Sequence, residues 1–333
     1  MDRVTMEDIA EKAGVSINTV SRALNDKPDI NGGTKEEILK IAEELNYQPN
    51  RFAKGLRSSQ TSTLGVIVAD ILNPFFSALL KGIEKAARKE GYSIIVQDTD
   101  EKYANEQSAI QTVLAEQVDG LLISPVQTNE QTIVDLQQSG LPFVLLGRYF
   151  KDLDTNFIVT DDVQGATAAI DHLVELGHEQ IAIVNGPSHI SSSQERLKGY
   201  RKAMAHHGLV TPENFIFHDT VTIEQGYENG KRLLSQSNLP TAVFCYSDFV
   251  ALGVINAAKD MGLRIPKELA VVGYDDIFFS TYLEVPLTTV RIPKYELGKK
   301  SFQILKGVLE NKKHKTKLKL PVELIKREST LGR

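Results

Sequence analysis

The residues best suited to contact a partner molecule lie near the start of the chain, in the second of two short helical patterns. Ile17, Asn18 and Arg22 fall at the start and on the outer face of this pattern, with Thr19 and Ser21 beside them. One apolar contact together with amide, hydroxyl and guanidinium groups is the chemistry that reads base edges in a DNA major groove. The pattern therefore predicts a recognition helix.

A preceding helix and a sharp turn must position this surface. Residues 6–13 form the first helical pattern, and Gly14 can adopt the positive φ that a tight turn between helices needs. Ser16 can cap the second helix with its hydroxyl. Apolar residues at helical spacing point inward on both helices: Ile9, Ala10, Val15, Val20 and Leu24. Any two helices joined by a glycine turn share this pattern, but the outer-face chemistry favours a helix-turn-helix.

Charge gives no independent support for DNA binding. The net charge is −5, and the first 60 residues carry nine Lys and Arg against ten Asp and Glu. Positive charge is only local, at Arg51, Lys54 and Arg57. A single module of this kind is therefore expected to bind DNA weakly.

Length and composition bound the remaining possibilities. A chain of 333 residues fits a small module plus two core domains. The single Cys245 excludes an internal disulfide and a multi-cysteine metal site, which fits a reducing cytosol. No apolar run is long enough to cross a membrane and no secretory leader precedes Asp2, so we expect a cytoplasmic protein without membrane contact.

From residue 63 onward, strand-like apolar runs alternate with helical stretches in two series. The first series contains LGVIVA, SIIVQD, GLLIS and PFVLLG, and the second contains IAIVNG, NFIFHD, AVFCYS and LAVVGYD. This alternation predicts two doubly wound α/β lobes, completed by a helix at 294–309 and a terminal strand near 318–325. Ligands of such sheets bind at the carboxyl ends of the strands, so the two lobes are expected to share one cleft.

Charged side chains follow several strands at this edge. Asp275 ends LAVVGYD and is the firmest candidate for a ligand acceptor, while Arg148 follows PFVLLG and is either a ligand donor or a solvated loop charge. Asp248 is either a helix N-cap or a ligand acceptor, and Asp161 and Asp162 are possible rim residues. A neutral polyhydroxylated ligand suits such a site. Its hydroxyls can donate to the carboxylates and accept from the guanidinium groups.

Signatures of catalysis are missing from the sequence. It contains no GxxxxGK[ST], GxSxG or HExxH motif, and no GxGxxG follows the first core strand. The seven histidines show no metal-ligand spacing and are expected at the surface. We therefore expect neither an enzyme nor a bound cofactor or metal.

Two motifs in order carry a specific family resemblance. TMEDIAEKAGVSINTVSRALN followed by NYQPNRFAKGL resembles the DNA-binding headpiece and hinge of the lac repressor (LacI/GalR) family, and the two lobes resemble its periplasmic-binding-protein-like core. The resemblance implies an all-α headpiece at 1–49, a hinge at 50–62 and an effector-binding core at 63–333. The N-lobe would comprise about 63–161 and 291–322, and the C-lobe about 162–290 and 323–333.

The resemblance also implies how DNA is held. A homodimer would place two recognition helices in a near-palindromic operator, with Ile17, Asn18 and Arg22 on bases. Phosphates would be contacted by Thr5, Ser16, Ser21 and Thr34. Thr19 lies beside the base-reading residues on the predicted DNA-binding surface. In the hinge, Leu56 would wedge between base steps, with Ala53 beside it and Asn50 at the helix start. The sequence Asn-Gly-Gly-Thr at 31–34 departs from the family pattern and predicts a late start of the third helix.

In the core, the resemblance adds effector residues and a mechanism. Phe75 and Phe76 would present ring faces to a sugar, although Asn73-Pro74 before them also reads as an ordinary helix start. Arg196 matches the helical arginine that reaches the effector, and Ser247 stands where many sugar binders carry an amide. A sugar bound between the lobes would release a repressor from its operator. The alternative is a member of the same family that is activated by a corepressor such as a purine, or by a partner protein.

Overall fold

The computed structural model describes residues 4–47, 61–311 and 315–331. The chain divides into two compact units, one at 1–61 and one at 62–333. The hinge candidates Asn50, Ala53 and Leu56 lie outside the described residues. Among the helices that are described, none is long and apolar enough to cross a membrane.

The first unit contains three short helices around a small apolar core. They are α1 (Met6–Ala13), α2 (Ile17–Leu24) and α3 (Gly32–Glu44). The inward residues expected from helical spacing pack together: Ile9, Ala10 and Val20 are buried with Ile38 and Ile41, and Val15, Leu24 and Leu45 pack partly buried against them.

The predicted late start of the third helix is wrong. Helix α3 begins at Gly32, because the Asn31 side chain caps it and accepts a hydrogen bond from the Gly33 N–H at 3.0 Å. A good N-cap thus compensates for the two glycines in the first turn, which are poor helix formers.

The second unit contains two six-stranded sheets, each flanked by helices. The first sheet has the order β11-β5-β4-β3-β1-β2 and is parallel. Its strands are β1 (Thr63–Val68), β2 (Ser93–Asp98), β3 (Gly120–Ile123), β4 (Phe143–Leu146), β5 (Phe157–Thr160) and β11 (Lys317–Leu320). Its helices are α4 (Pro74–Lys89), α5 (Tyr103–Ala115), α6 (Gln131–Ser139) and α11 (Lys294–Leu309), and α11 packs along α4. We call this part the N-lobe.

The second sheet has the order β12-β10-β9-β8-β6-β7, with only the β10–β12 pair antiparallel. Its strands are β6 (Ile181–Val184), β7 (Ile216–Phe217), β8 (Ala242–Cys245), β9 (Ala270–Asp275), β10 (Thr288–Arg291) and β12 (Glu323–Ile325). Its helices are α7 (Asp162–Glu175), α8 (Ser191–His206), α9 (Ile223–Leu234) and α10 (Asp248–Asp260). We call this part the C-lobe.

The end of the chain differs from the expected single terminal strand. It forms two short strands, β11 in the N-lobe sheet and β12 in the C-lobe sheet. Pro321 lies between them, and proline cannot donate to a strand ladder, so the chain leaves one sheet there and joins the other.

Candidate functional site

In the first unit, the local structure presents the predicted recognition surface. Gly14 adopts φ +63° at the turn, and the Ser16 hydroxyl accepts from the Thr19 N–H at 3.2 Å as the N-cap of α2. Ile17 and Asn18 follow in the first turn and are exposed, and Arg22 lies exposed one turn further on. Short apolar, amide and guanidinium groups thus lie along the solvent side of one helix.

Other predicted DNA contacts have different surroundings. The placement of Ser21 on the exposed outer face is wrong, because the residue is only 9% exposed. Thr5 caps α1 through a reciprocal pair of contacts with Asp8, and Thr34 is half-buried in the first turn of α3. Arg22 forms an ion pair with Asp29, so a DNA contact by Arg22 has to compete with this carboxylate.

In the second unit, a cavity lies between the N-lobe and the C-lobe at the carboxyl ends of the strands. It encloses about 730 Å³ of space free of protein atoms, its open mouth included. Both lobes contribute charged, hydroxyl and aromatic side chains to its wall. They include Asp70, Phe75, Phe76, Glu101, Ser124, Arg148, Ser192, Arg196, Tyr246, Ser247 and Asp275.

On the N-lobe side, Arg148 is buried in the cavity wall and is not a solvated loop charge. Its guanidinium makes a two-pronged ion pair with the Glu101 carboxylate, one prong at 2.8 Å, and donates to the Pro125 carbonyl at 2.8 Å. Bidentate pairs of this kind fix both side chains and neutralise the arginine charge. Glu101 lies 47 positions from Arg148 and was not anticipated from the sequence.

The two phenylalanines of the N-lobe wall follow a well-capped helix start. Asn73 accepts from the Phe75 N–H at 3.0 Å and Pro74 is the first residue of α4, as the sequence predicted. The rings of Phe75 and Phe76 meet edge to face, with centroids 4.9 Å apart. Both residues line the cavity, so the structural and the ligand-binding interpretation of this segment are compatible.

On the C-lobe side, Arg196 projects from α8 and is 5% exposed. Its Nε donates to Asp162 at 3.1 Å, and its Nη1 donates to the Tyr246 carbonyl. The guanidinium carbon lies 3.7 Å from the centre of the Tyr274 ring, a cation–π contact. Asp162 is therefore a buried partner of Arg196 and not the rim residue expected from the sequence.

Asp275 ends β9 at the cavity wall and is 5% exposed. No hydrogen bond to its carboxylate is found within the described ranges, and its backbone adopts φ +111°, which is unusual for a residue other than glycine. Burial raises the pKa of Asp275 to about 7, because the charged carboxylate is removed from water. A cavity-wall carboxylate that accepts no hydrogen bond from the described part of the chain is suited to a ligand hydroxyl.

Neither alternative proposed for Asp248 is correct. Ser247 is the N-cap of α10, accepting from the Val250 N–H at 3.2 Å. The Asp248 carboxylate accepts from the Ile277 N–H at 2.8 Å and from the hydroxyls of Ser280 and Thr289 at 2.6 and 2.5 Å. These three donors inside the C-lobe occupy Asp248, which is absent from the described cavity lining.

Two further expectations change with the structure. Asp161 is the N-cap of α7, accepting from the Gln164 N–H at 3.2 Å, and it too lies outside the described lining. His172 and His178 are buried, not exposed, and their rings hydrogen-bond Thr330 and Thr241, each at 2.9 Å. The residues of these two hydrogen-bonded pairs lie 158 and 63 positions apart in the chain, so local sequence patterns do not indicate them.

Comparison with known proteins is consistent with this geometry. Residues 61–328 match the model of periplasmic binding proteins and the sugar binding domain of the LacI family, and residues 5–50 match bacterial regulatory proteins of the lacI family. The chain is 36% identical to the ribose operon repressor of Haemophilus influenzae over 92% of each chain. It is 32% identical to the HTH-type transcriptional repressor PurR of Photobacterium profundum over 98% of each chain.

A solved structure extends the match to the whole fold. The lac repressor dimer bound to operator and the anti-inducer ONPF superposes with a TM-score of 0.91 at 30% identity, covering 99% of this chain and all of that chain. The match thus extends over the headpiece and both lobes. The chain therefore belongs to the lacI family of bacterial regulatory proteins, and it is a DNA-binding transcriptional repressor and not an enzyme.

Proposed function

We propose that a small, neutral, polyhydroxylated molecule of the sugar class binds between the lobes and releases this repressor from a near-palindromic operator in the cytoplasm. The observation that carries the proposal is the composition of the cavity. Asp275 offers an acceptor that meets no hydrogen-bond donor among the described residues, Arg148 and Arg196 offer guanidinium edges, and Phe75 and Phe76 offer ring faces. Hydroxyls can donate and accept, so they satisfy both kinds of group at once.

The charge balance favours a neutral ligand over a phosphorylated one. Glu101 already neutralises Arg148, and Asp162 already neutralises Arg196. The Lys294 ammonium, near Asp275, donates to the backbone carbonyls of Asp275 and Asp276. A phosphate brought into this cavity would lose its hydration and meet the Asp275 carboxylate, while both arginines of the described lining are already paired with carboxylates.

The headpiece would supply operator recognition. We propose base contacts from Ile17, Asn18 and Arg22, with phosphate contacts from the start of each helix. The domain limits proposed for this division of labour are 1–49 for the headpiece, 50–62 for the hinge and 63–333 for the core. Ligand binding between the lobes would change operator affinity by linkage, typically by 1–3 kcal/mol.

A palindromic operator requires two copies of the chain, and we propose a homodimer. An exposed aromatic patch on the C-lobe supports it: Phe278 is 66% exposed, Tyr282 is 82% exposed, and Phe279 packs beside Phe278. Adjacent exposed aromatic rings of this size usually mark an interface, because they would otherwise leave a large apolar area in water.

Replacing Tyr282 with aspartate is expected to weaken self-association about a hundredfold or more, since a charge would be buried in the centre of an apolar contact. Analytical ultracentrifugation over a concentration series measures the change. Val210→Asp is the matched control, because Val210 is 80% exposed, close to the value for Tyr282, and is not one of the patch residues. Equal association of both variants and the wild type would rule out this patch as the dimer interface.

The proposed function is tested with a defined ligand panel. An operator is first selected from random palindromic DNA with the purified protein, and affinity is then measured by fluorescence anisotropy. Monosaccharides, disaccharides, sugar phosphates and purines are added one at a time. We expect a neutral sugar to weaken operator binding about 5- to 150-fold. Release by a purine or a sugar phosphate alone, or tighter binding with any ligand, would favour the corepressor alternative or another effector class.

A further inference from the structure

The helix that carries Arg196 is capped by the opposite lobe. The N-cap residue of α8 is Ile190, whose side chain cannot accept a hydrogen bond. The first N–H of the helix, at Ser191, instead donates to the side-chain oxygen of Gln127 at 2.9 Å. Gln127 follows β3 in the N-lobe, so an N-lobe side chain satisfies an end group of a C-lobe helix.

The hydrogen bond between Ser191 and Gln127 belongs to a closed ring of hydrogen bonds that also includes Tyr149. The Ser191 hydroxyl donates to Gln127 Oε1 at 3.1 Å, and it accepts from the Tyr149 N–H at 3.1 Å. Gln127 Nε2 donates to the Tyr149 carbonyl at 2.8 Å. The orientation of the amide is fixed, because its oxygen faces an N–H and its nitrogen faces a carbonyl. Gln127 and Ser191 are both buried, which strengthens these bonds.

The segment before Gln127 joins this ring to the cavity. Ser124 lines the cavity, and the Pro125 carbonyl accepts from Arg148. The Val126 N–H donates at 2.6 Å to the buried Glu106, which anchors the segment to α5. Gln127 itself has φ +66°, an unusual conformation that turns the chain toward the C-lobe. A movement of Arg148 would therefore be transmitted through Pro125 and Val126 to Gln127, which caps α8.

We propose that Gln127 is a positioning residue that latches the two lobes by capping α8, and that it thereby favours the operator-binding arrangement. The chain that contains this latch superposes on the operator-bound lac repressor with a TM-score of 0.91. We therefore infer that loss of the latch shifts the chain away from DNA binding. The predicted change in operator affinity rests on the proposed function. The predicted contact between the lobes does not, because it concerns the ligand-free protein.

The test uses the full-length protein without any effector. Hydrogen exchange at residue level is compared among the wild type, Gln127→Ala and Gln127→Glu. The glutamate variant keeps the size of the side chain and the oxygen that accepts from the Ser191 N–H. It replaces the Nε2 donor by a second oxygen, which faces the Tyr149 carbonyl. Gln127→Ala is expected to speed exchange at Ser191 about tenfold, with the middle of α8 unchanged. Gln127→Glu is expected to speed it less, because the carboxylate still accepts from the Ser191 N–H. Gln137→Ala is the control, because Gln137 loses a hydrogen bond to Asp154 within the N-lobe only.

Operator affinity supplies a readout that simple loss of stability would not move. On DNA selected by the wild type, Gln127→Ala is expected to bind about three- to tenfold more weakly, while Gln137→Ala binds unchanged. A complete loss is not expected, because the Tyr149 hydroxyl still donates to Glu195 across the lobes at 3.3 Å. Unchanged exchange at Ser191, or unchanged operator affinity despite faster exchange, would overturn the proposal. If the wild type selects no operator, the proposed function fails while the exchange result still decides whether the latch exists.

Discussion

Replacement of Arg196 with alanine is expected to lower the free energy of unfolding by about 3–5 kcal/mol and to abolish the response to the effector. The guanidinium is almost fully buried, and its removal leaves the equally buried Asp162 carboxylate without its ion-pair partner. The variant also loses the contact with the Tyr274 ring at 3.7 Å. Urea denaturation measures the first effect, and operator release by the sugar identified in the ligand panel measures the second.

Two comparisons separate these causes. The double variant Arg196→Ala/Asp162→Asn should recover part of the lost stability, because it no longer buries an isolated charge, but it should not recover the effector response. Arg264→Ala is the surface control, since Arg264 pairs with Glu268 in solvent, where ion pairs contribute little to stability. A loss below about 1 kcal/mol in the single variant would contradict the assignment of Arg196 as a buried, paired charge.

Asp275→Asn is expected to stabilise the ligand-free protein at pH 8 while it destroys effector binding. The wild-type carboxylate is buried without a hydrogen-bond donor among the described residues, and burial raises its pKa from 3.8 to about 7. Ionising this group in the folded protein therefore costs stability, by an amount on the order of 3–5 kcal/mol for a shift of this size. The neutral amide avoids that cost but cannot accept from ligand hydroxyls in the same way.

The pH dependence gives this prediction its sign. Because the folded-state pKa lies above the unfolded value, the folded protein binds the extra proton between about pH 4 and 7. The stabilising contribution of Asp275 is complete below the unfolded pKa and disappears as the pH rises through about 7. Wild-type stability should therefore fall relative to Asp275→Asn between pH 5 and pH 8.

Thermal and urea unfolding across this pH range measure the difference between the two proteins. The control is Asp152→Asn, which changes an exposed carboxylate and should follow the wild-type pH profile. Parallel profiles for wild type and Asp275→Asn would refute the raised pKa. Undiminished operator release in the Asp275→Asn variant would show that Asp275 does not hold the effector.

The residues that could be assigned from sequence are those whose roles follow from local periodicity. The turn at Gly14, the cap at Ser16 and the inward face of α1 and α2 each depend on neighbours within a few positions. The alternation of apolar strands and helices likewise predicted two parallel-sheet lobes. Because carboxyl ends of parallel strands meet at one edge, the sequence also placed Arg148 and Asp275 at one cleft.

Tertiary structure alone decided which polar groups are free and which are already paired. Asp248 and Asp275 both follow strands of the C-lobe, yet only the Asp248 carboxylate meets three donors from other segments. Glu101 lies 47 positions from Arg148, and Gln127 lies 64 positions from Ser191. Whether a hydrogen bond forms depends on the donor–acceptor distance to within a few tenths of an ångström. The periodicity of the sequence does not determine that distance for segments that are far apart in the chain. The sequence alone determined the elements and the edge at which a ligand would bind, while packing determined which carboxylate remained available to bind it.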